Sequence, residues 1–252
     1  MTGRKKVALR IDDIGASSKQ FEVYSRKWFG IGNFLFLKRL DFFKAWGPYE
    51  EMTAEQWERI FEVLGRYDAK LTVGVTACWV EYDGALIPFF EKFPDEAQTL
   101  RQGVAEGLIE IANHGLTHCV VEDFRFRPRL FSSNRTFHRE FWEWVPEEIQ
   151  CEHMRRSQEL LAQYFGAASV TFVPPGNVYS QPTLAAARDV GIKYVNCNRA
   201  EGFFPGLEMV SNEHVVAFHD KEIVENGVGW LEALISDLDQ HQFVFVRELT
   251  NA

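Results

Sequence analysis

The chain has 252 residues, of which 46% are hydrophobic and 25% are charged, and its formal net charge is −9. This composition is typical of a globular protein, and the length fits one large domain or two small ones. A nucleic-acid-binding protein needs a basic face to neutralise phosphates, whereas the one basic run here is residues 4–6, so we expect no nucleic-acid partner.

The cysteines and the apolar runs indicate where in the cell the protein is expected. The cysteines at positions 78, 119, 151 and 197 form no CxxC pair, which is typical of reduced thiols. Residues 1–6 are polar and basic, unlike a secretory leader, and no apolar run approaches the ~20 residues that span a bilayer. We therefore expect a cytoplasmic protein that is not transmembrane.

Short apolar runs alternate with amphipathic segments along the chain. The runs predict strands at residues 7–11, 71–76, 108–112, 170–173, 194–197, 215–218 and 243–246. Strands that alternate with helices favour a parallel sheet. About seven of them predict an α/β fold, a distorted (β/α)7-type barrel.

Helix patterns separate several of these strands, at residues 53–67, 146–165 and 182–190. The first of them begins with Thr53 and Gln56 in a capping-box arrangement. Its apolar positions recur at helical spacing and predict one buried face.

Two aromatic-rich stretches, residues 15–48 and 119–145, do not fit the alternation. Each follows a predicted strand, at the end where barrel enzymes build their sites from βα loops. We interpret both as elaborated substrate loops. No repeat or linker divides the sequence, so a single domain over residues 1–252 is predicted.

Two adjacent carboxylates, Asp12 and Asp13, follow the first predicted strand. Side chains alternate along a strand, so the two are expected to point to opposite sides. One could then bind a metal ion while the other remains free as a base. Taken alone, such a pair is more often a loop with two solvated acids.

A histidine pair, His114 and His118, follows the strand at residues 108–112. Two histidines four apart can face one ion if a helical turn follows the strand. Gly115 stands where the zinc-protease motif HExxH has glutamate, which excludes that motif. Taken alone, the pair is equally typical of core or surface histidines.

Two later strand ends carry further candidates. Pro174, Pro175 and Gly176 predict a rigid turn whose backbone N–H groups could point at a ligand. His219 follows the strand at residues 215–218, a position where a lone histidine is more often structural.

In this order, the four features resemble the motifs of the polysaccharide deacetylase family, also described as NodB-like or carbohydrate esterase family 4. That family has an Asp-Asp pair, an H-[ST]-x-x-H pair, an R-P-P turn and a late L-x-H strand end. The resemblance extends from Val7 to Asp220. It implies a divergent, cytoplasmic member of the family.

The resemblance implies one divalent ion held by three side chains, those of Asp13, His114 and His118. Two imidazoles and one carboxylate suit zinc before nickel, cobalt or iron, and leave coordination positions open. Asp12 matches the family's catalytic base and His219 its general acid. Gly176 matches the turn residue whose N–H contacts the oxyanion.

Three departures from the family pattern concern residues around this site. Val173 replaces the arginine that contacts the base, and Asn196 and Asn198 lie where many members have an aspartate. Gly115 replaces the usual serine or threonine after the first histidine.

Arg10 is a candidate replacement for the missing arginine. It lies two residues before Asp12 and hence on the same strand face, so its guanidinium is expected within about 4 Å of that carboxylate. An ordinary surface arginine is the alternative, and Arg199 is then the next candidate.

These features predict a metal-dependent hydrolase that removes an acetyl or formyl group from the nitrogen of an amino sugar. A cytoplasmic enzyme would act on a nucleotide- or lipid-linked precursor of surface polysaccharide. The sugar could stack on Trp28, Trp46, Trp142 or Trp144, although packing in the core or in an oligomer is the more common role for any single tryptophan. A homo-oligomer is compatible with the sequence.

Two other functions fit the same residues. A non-catalytic sugar-binding barrel is favoured by the loss of arginine at Val173, and an amidohydrolase of a small non-sugar amide is also compatible. Exposed aromatic residues in the cleft favour a sugar, whereas a narrow pocket with an arginine clamp favours a small amide.

Overall fold

The structure is a computed structural model that describes residues 4–20, 50–81, 84–119, 139–198 and 202–249. Its strands are β1 (Lys6–Ile14), β2 (Leu71–Val75), β3 (Cys78–Val80), β4 (Leu86–Pro88), β5 (Ile109–Asn113), β6 (Thr171–Phe172), β7 (Tyr194–Asn196), β8 (Glu208–Val210), β9 (Val215–His219) and β10 (Gln242–Val244). Its α-helices are α1 (Ala54–Arg66), α2 (Phe89–Lys92), α3 (Pro94–Ala105), α4 (Glu147–Phe165), α5 (Gln181–Asp189), α6 (Asp220–Asn226) and α7 (Val228–Asp237).

One eight-stranded parallel sheet organises the fold. Its strands follow the order β10, β1, β2, β5, β6, β7 and β8, and β9 also pairs with β1. Strand β1 therefore has β2 along one edge, and β10 and then β9 along the other. The sheet curls around β1 into a partly open barrel, which confirms the predicted α/β fold of the distorted (β/α)7 type. Strands β3 and β4 form a separate antiparallel hairpin.

Helices α1, α3 and α7 cover one side of the sheet. The predicted capping box of α1 is confirmed, since Thr53 and Gln56 each accept a hydrogen bond from the other's backbone N–H. The helix buries Trp57, Ile60 and Leu64 in the same apolar cluster as β1 and β2. Each such side chain contributes roughly 1.5–3 kcal/mol by leaving water.

The inner face of the sheet is polar. On β1, Leu9 and Ile11 join the apolar core beneath the helices, whereas the intervening Arg10 lies on the other face and is 1% exposed. The residues in register with it, Thr72 and then Glu110 on the next strand, are also buried. Polar side chains thus fill the barrel beneath the carboxyl ends of the strands.

Some elements differ from the sequence prediction. All seven predicted strands and all three predicted helices are present, but β3, β4, β8, α2, α3, α6 and α7 have no predicted counterpart. Among the described residues, no helix combines the length and apolar character needed to cross a membrane. Most of the two aromatic-rich stretches lies outside the described residues.

Candidate metal centre

Three predicted ligands meet at the carboxyl ends of β1 and β5. Oδ1 of Asp13 lies 2.9 Å from Nε2 of His114 and 3.0 Å from Nε2 of His118. One potential ligand atom from each residue lies within 4.8 Å of the other two. The side chains are only 2–8% exposed, so the three donors face one another in a buried position.

The backbone of β1 departs from regular strand geometry at the carboxylates. Asp13 has φ +70°, and the register against β2 shifts between Ile11 and Ile14. The regular alternation on which the sequence prediction rests is therefore interrupted at Asp13. Asp13 contacts His114, and Oδ1 of Asp12 and the His114 ring both border the space that a Cβ on Gly74 would fill.

Each candidate histidine ligand is held through its other ring nitrogen. Nδ1 of His114 lies 2.6 Å from the backbone oxygen of Val173, which requires the proton on Nδ1. Nδ1 of His118 lies 2.7 Å from Oγ of Ser18. Metal-ligating histidines are commonly oriented in this way, with Nε2 left to face the ion.

The donor set fits a divalent ion. Ligand bonds of roughly 2.0–2.2 Å in a tetrahedral site place neighbouring donor atoms about 3.3–3.6 Å apart, a few tenths of an ångström more than the 2.9 and 3.0 Å from Oδ1 of Asp13 to the two histidines. Burial alone would raise the pKa of Asp13, but His118 and the hydrogen bonds from both histidines hold it well below its ordinary value. Burial lowers the pKa of His118 despite Asp13. An ionised carboxylate is the form of Asp13 that binds metal, and each histidine would bind through an Nε2 that carries no proton, so metal binding would displace the protons that the histidines donate to Asp13.

Arg10 contacts the proposed base in a bidentate arrangement. Its Nε donates to Oδ1 of Asp12 at 2.8 Å and its Nη2 donates to Oδ2 at 2.6 Å. Nη1 donates to the side chain of Asn196 and to its backbone oxygen. Asn196 in turn donates to Asn212 at 2.8 Å. The arginine is therefore fixed in the barrel interior within the distance from Asp12 that the sequence predicts.

His219 lies at the edge of the site. It pairs with Asp12 across β1 and β9, and its Nε2 lies 4.0 Å from Oδ2 of Asp13. Its side chain is 41% exposed, in contrast to the buried ligands. A group on an incoming substrate can therefore reach this imidazole from solvent.

Gly176 lies in the turn after β6, with φ +63°. A Cβ there would come within 2.0 Å of Nε of Arg139, and Nη1 of Arg139 is 3.1 Å from Nε2 of His118. This turn thus borders the ligand cluster. Beside it, Trp142 and Tyr179 line a cavity of about 330 Å³ together with residues 143, 177 and 178.

Several polar residues at the site were not found from the sequence. Glu140 accepts hydrogen bonds from the loop that carries His118. Lys19 donates to Oδ2 of Asp220 and to the backbone oxygen of Asp13, both at 2.5 Å. Burial disfavours the ammonium of Lys19, but the charges of Asp220, Glu51 and Asp13 together outweigh it and raise the pKa of Lys19.

The sequence signals for these residues are weak. Asp220 adjoins His219, which marks it as a neighbour of the site, but nothing in the sequence pairs it with Lys19. Glu140 lies 22 residues beyond His118 and matches no motif. The predicted sugar-contacting residues Trp28 and Trp46, and the alternative arginine at position 199, lie outside the described residues.

Polar side chains clustered at the carboxyl ends of parallel strands define the class of α/β barrel enzymes. The sequence model of the family described as polysaccharide deacetylase matches residues 46–195, more than half of the chain. The chain belongs to the polysaccharide deacetylase family, as its motifs predict. The family is also known as NodB-like or carbohydrate esterase family 4.

Solved structures share the fold. The Xyl-CE4 domain of a multidomain xylanase from the hindgut metagenome of Trinervitermes trinervoides is 14% identical, with a TM-score of 0.54 over 99% of this chain and 91% of that one. A family 4 acetyl xylan esterase from Clostridium thermocellum, in complex with a cobalt ion, is 14% identical with a TM-score of 0.52 over 98% and 91%. A family 4 carbohydrate esterase from Bacillus anthracis is 16% identical with a TM-score of 0.52 over 99% and 83%. No curated protein matches the sequence.

Proposed function

We propose that the protein is a metal-dependent hydrolase that removes an acetyl or formyl group from the nitrogen of an amino sugar. The observation that carries this proposal is the buried cluster of Asp13, His114 and His118 beside the pair formed by Arg10 and Asp12. Membership of the polysaccharide deacetylase family supports a carbohydrate as substrate. The Clostridium thermocellum esterase of similar fold is in complex with a cobalt ion, which supports a divalent ion in this protein.

An ion bound there would supply Lewis acidity to the acyl carbonyl and to the attacking water. Asp12 accepts the proton of that water, because its carboxylate borders the cluster and Arg10 fixes its orientation. His219, which is open to solvent, donates a proton to the departing amine. The N–H of Gly176 stabilises the oxyanion from the turn that borders His118.

The shape of the surroundings supports a sugar over a small amide. The cavity beside the Gly176 turn is bordered by Trp142 and Tyr179, whose rings can stack on a sugar face. Arg139 also lies beside His118. An arginine at the site is the feature that the alternative substrate, a small amide, would require. A nucleotide-linked sugar would use both, since its phosphates can contact the guanidinium. The cytoplasmic location of such a precursor stays a prediction.

The experiment is to load the purified protein with zinc, nickel or cobalt and to measure acetate and formate released from a panel of acylamino sugars. We expect release from an N-acyl sugar that depends on added metal and is lost after chelation. Small non-sugar amides form the comparison panel. Release from those amides alone would favour the amidohydrolase, and an ion-loaded protein that binds the sugars without any release would favour the sugar-binding barrel.

A further inference from the structure

The loop from His114 to His118 is held by side chains outside the proposed ligand set. Glu140, which is 0% exposed, accepts hydrogen bonds from three consecutive backbone N–H groups, at 3.2, 3.3 and 3.1 Å. They belong to Leu116, Thr117 and His118. The preceding N–H, that of Gly115, donates to Oδ1 of Asn113 at 2.9 Å.

We propose that Glu140 is a positioning residue for the metal centre: its carboxylate fixes the backbone that presents the His118 imidazole to the ion. This inference rests on the proposed function, because it assumes that His118 is a ligand. His118 has φ +61°, a conformation that L-residues other than glycine adopt infrequently. A hydrogen bond from its own N–H to Glu140 stabilises that conformation.

Glu140 also accounts for the glycine in the histidine motif. A Cβ on Gly115 would lie 1.7 Å from Oε1 of Glu140, so a serine or threonine cannot occupy this position while the carboxylate does. Gly115 also has φ +83°, which favours glycine. The carboxylate therefore fills the space of the side chain that the family motif usually carries, and residues 115 and 140 act as one unit.

The buried carboxylate is well supplied with donors. Besides the three N–H groups, Oγ1 of Thr117 lies 3.3 Å away and Nδ1 of His153 lies 2.6 Å away. A buried carboxylate without such donors would be strongly disfavoured. His153 belongs to α4, so Glu140 joins the loop to a helix that carries none of the proposed ligands. Such outer partners typically contribute 10–100-fold to metal affinity.

The first test compares Glu140→Gln with wild type and with Glu148→Gln, a matched change of an exposed carboxylate on α4. Zinc affinity is measured by competition with a chelator, and backbone amide exchange at residues 116–118 is measured in the metal-free protein. We expect about 10–100-fold weaker zinc binding and faster exchange in Glu140→Gln alone. The cobalt-loaded variant should also show a shifted absorption spectrum, because the geometry of His118 changes.

A double-mutant cycle keeps the inference testable if Glu140→Gln folds poorly. Glu140→Asp shortens the side chain by one methylene and makes room for a Cβ at position 115. In Gly115→Ala alone, that Cβ collides with the Glu140 carboxylate. We expect the zinc-affinity losses of the two single variants to be clearly non-additive in the double variant. The proposal is overturned if the losses add, or if a folded Glu140→Gln binds zinc as tightly as wild type. A wild-type protein that binds no ion would instead refute the proposed function.

Discussion

Asp12 and Arg10 contact each other because residues two apart on a strand face the same way. The guanidinium is 1% exposed and uses two of its nitrogens on the carboxylate. Such a bidentate contact fixes the plane of the carboxylate as well as its position. Because Arg10 contacts Asp12 and not the proposed ligands, the two functions of the site can be separated by substitution.

Asp12→Asn tests the base. The amide has nearly the same shape as the carboxylate but cannot accept a proton from water, so we expect kcat to fall roughly 10²-fold or more. Zinc content should remain one ion per chain. Activity within a few-fold of wild type would exclude Asp12 as the base.

Arg10→Met tests the positioning of that base. The substitution keeps the apolar stem of the side chain but removes both hydrogen bonds to Asp12. We expect kcat to fall about 10–100-fold, since a small displacement of a catalytic group has effects of this size, while zinc affinity is unchanged. Arg155→Met removes an exposed arginine on α4 and should leave kcat as in wild type. An equal effect of the two substitutions would contradict the role of Arg10.

The sequence could predict these residues but not their full surroundings. Strand periodicity placed Arg10 beside Asp12, and motif spacing brought His114 near Asp13. The left-handed conformation of Asp13, which interrupts the strand, could not be predicted, because no local pattern marks it. Glu140 could not be found either, since its contact with the loop is set by tertiary packing.

At the scale of elements, a buried ion pair joins two segments distant in sequence. Lys19 lies in the short helical turn Ser17–Gln20 after β1, and Asp220 begins α6. Both are at most 2% exposed, and Oδ1 of Asp220 has no hydrogen-bond partner among the described residues. The ammonium of Lys19 donates both to the backbone oxygen of Asp13 and to Asp220 at the start of α6. It therefore links the two segments.

Asp220→Asn should therefore destabilise the protein strongly. Lys19 would lose the largest of the charges that favour its ammonium, and breaking a buried pair typically costs about 3–5 kcal/mol of unfolding free energy. Urea unfolding measures this loss. Glu232→Gln, which breaks an exposed pair with Arg66, should cost roughly 0–1 kcal/mol. A loss below about 1 kcal/mol in Asp220→Asn would show that the pair does not stabilise the fold.

The strands that the sequence predicted are those that lie within an apolar run, including β6 with its two residues. Strand β8 has three residues and is a strand because it pairs with β7. No local sequence pattern reveals this pairing. Helix α3 did carry usable signals, namely Pro94 at its first turn followed by Asp95 and Glu96. These local signals suffice to predict the start of α3 from the sequence.

At the scale of the whole molecule, the described part of the barrel interior includes clusters of polar side chains around Arg10 and around Glu110. Glu110 accepts from Oγ1 of Thr72 at 2.7 Å and lies 3.4 Å from Nε of Arg247. Burial raises the pKa of Glu110 above its ordinary value of 4.5, more than the hydrogen bond from Thr72 and the charge of Arg247 lower it. The folded protein therefore binds this proton more tightly than the unfolded chain does.

Glu110→Gln should change the pH dependence of stability. In wild type, the raised pKa of Glu110 contributes to the free energy of unfolding below about pH 4.5, and this contribution is lost as pH rises through the folded-state pKa. Glutamine does not titrate. The stability of Glu110→Gln relative to wild type should therefore increase as pH rises through the folded-state pKa of Glu110, and then stay constant. Urea unfolding at a series of pH values from about 4.5 upward measures the difference. Glu106→Gln, an exposed change, is the control, and a difference that does not vary with pH would contradict the prediction.

The central claim is that one divalent ion binds between Asp13, His114 and His118. Anomalous diffraction at the cobalt edge, from crystals of the cobalt-loaded protein, tests it most directly. We expect one strong peak per chain, roughly 2.0–2.2 Å from Asp13 Oδ1 and from Nε2 of both histidines. A peak bound by other residues, or a loaded crystal with no peak at this cluster, would contradict it.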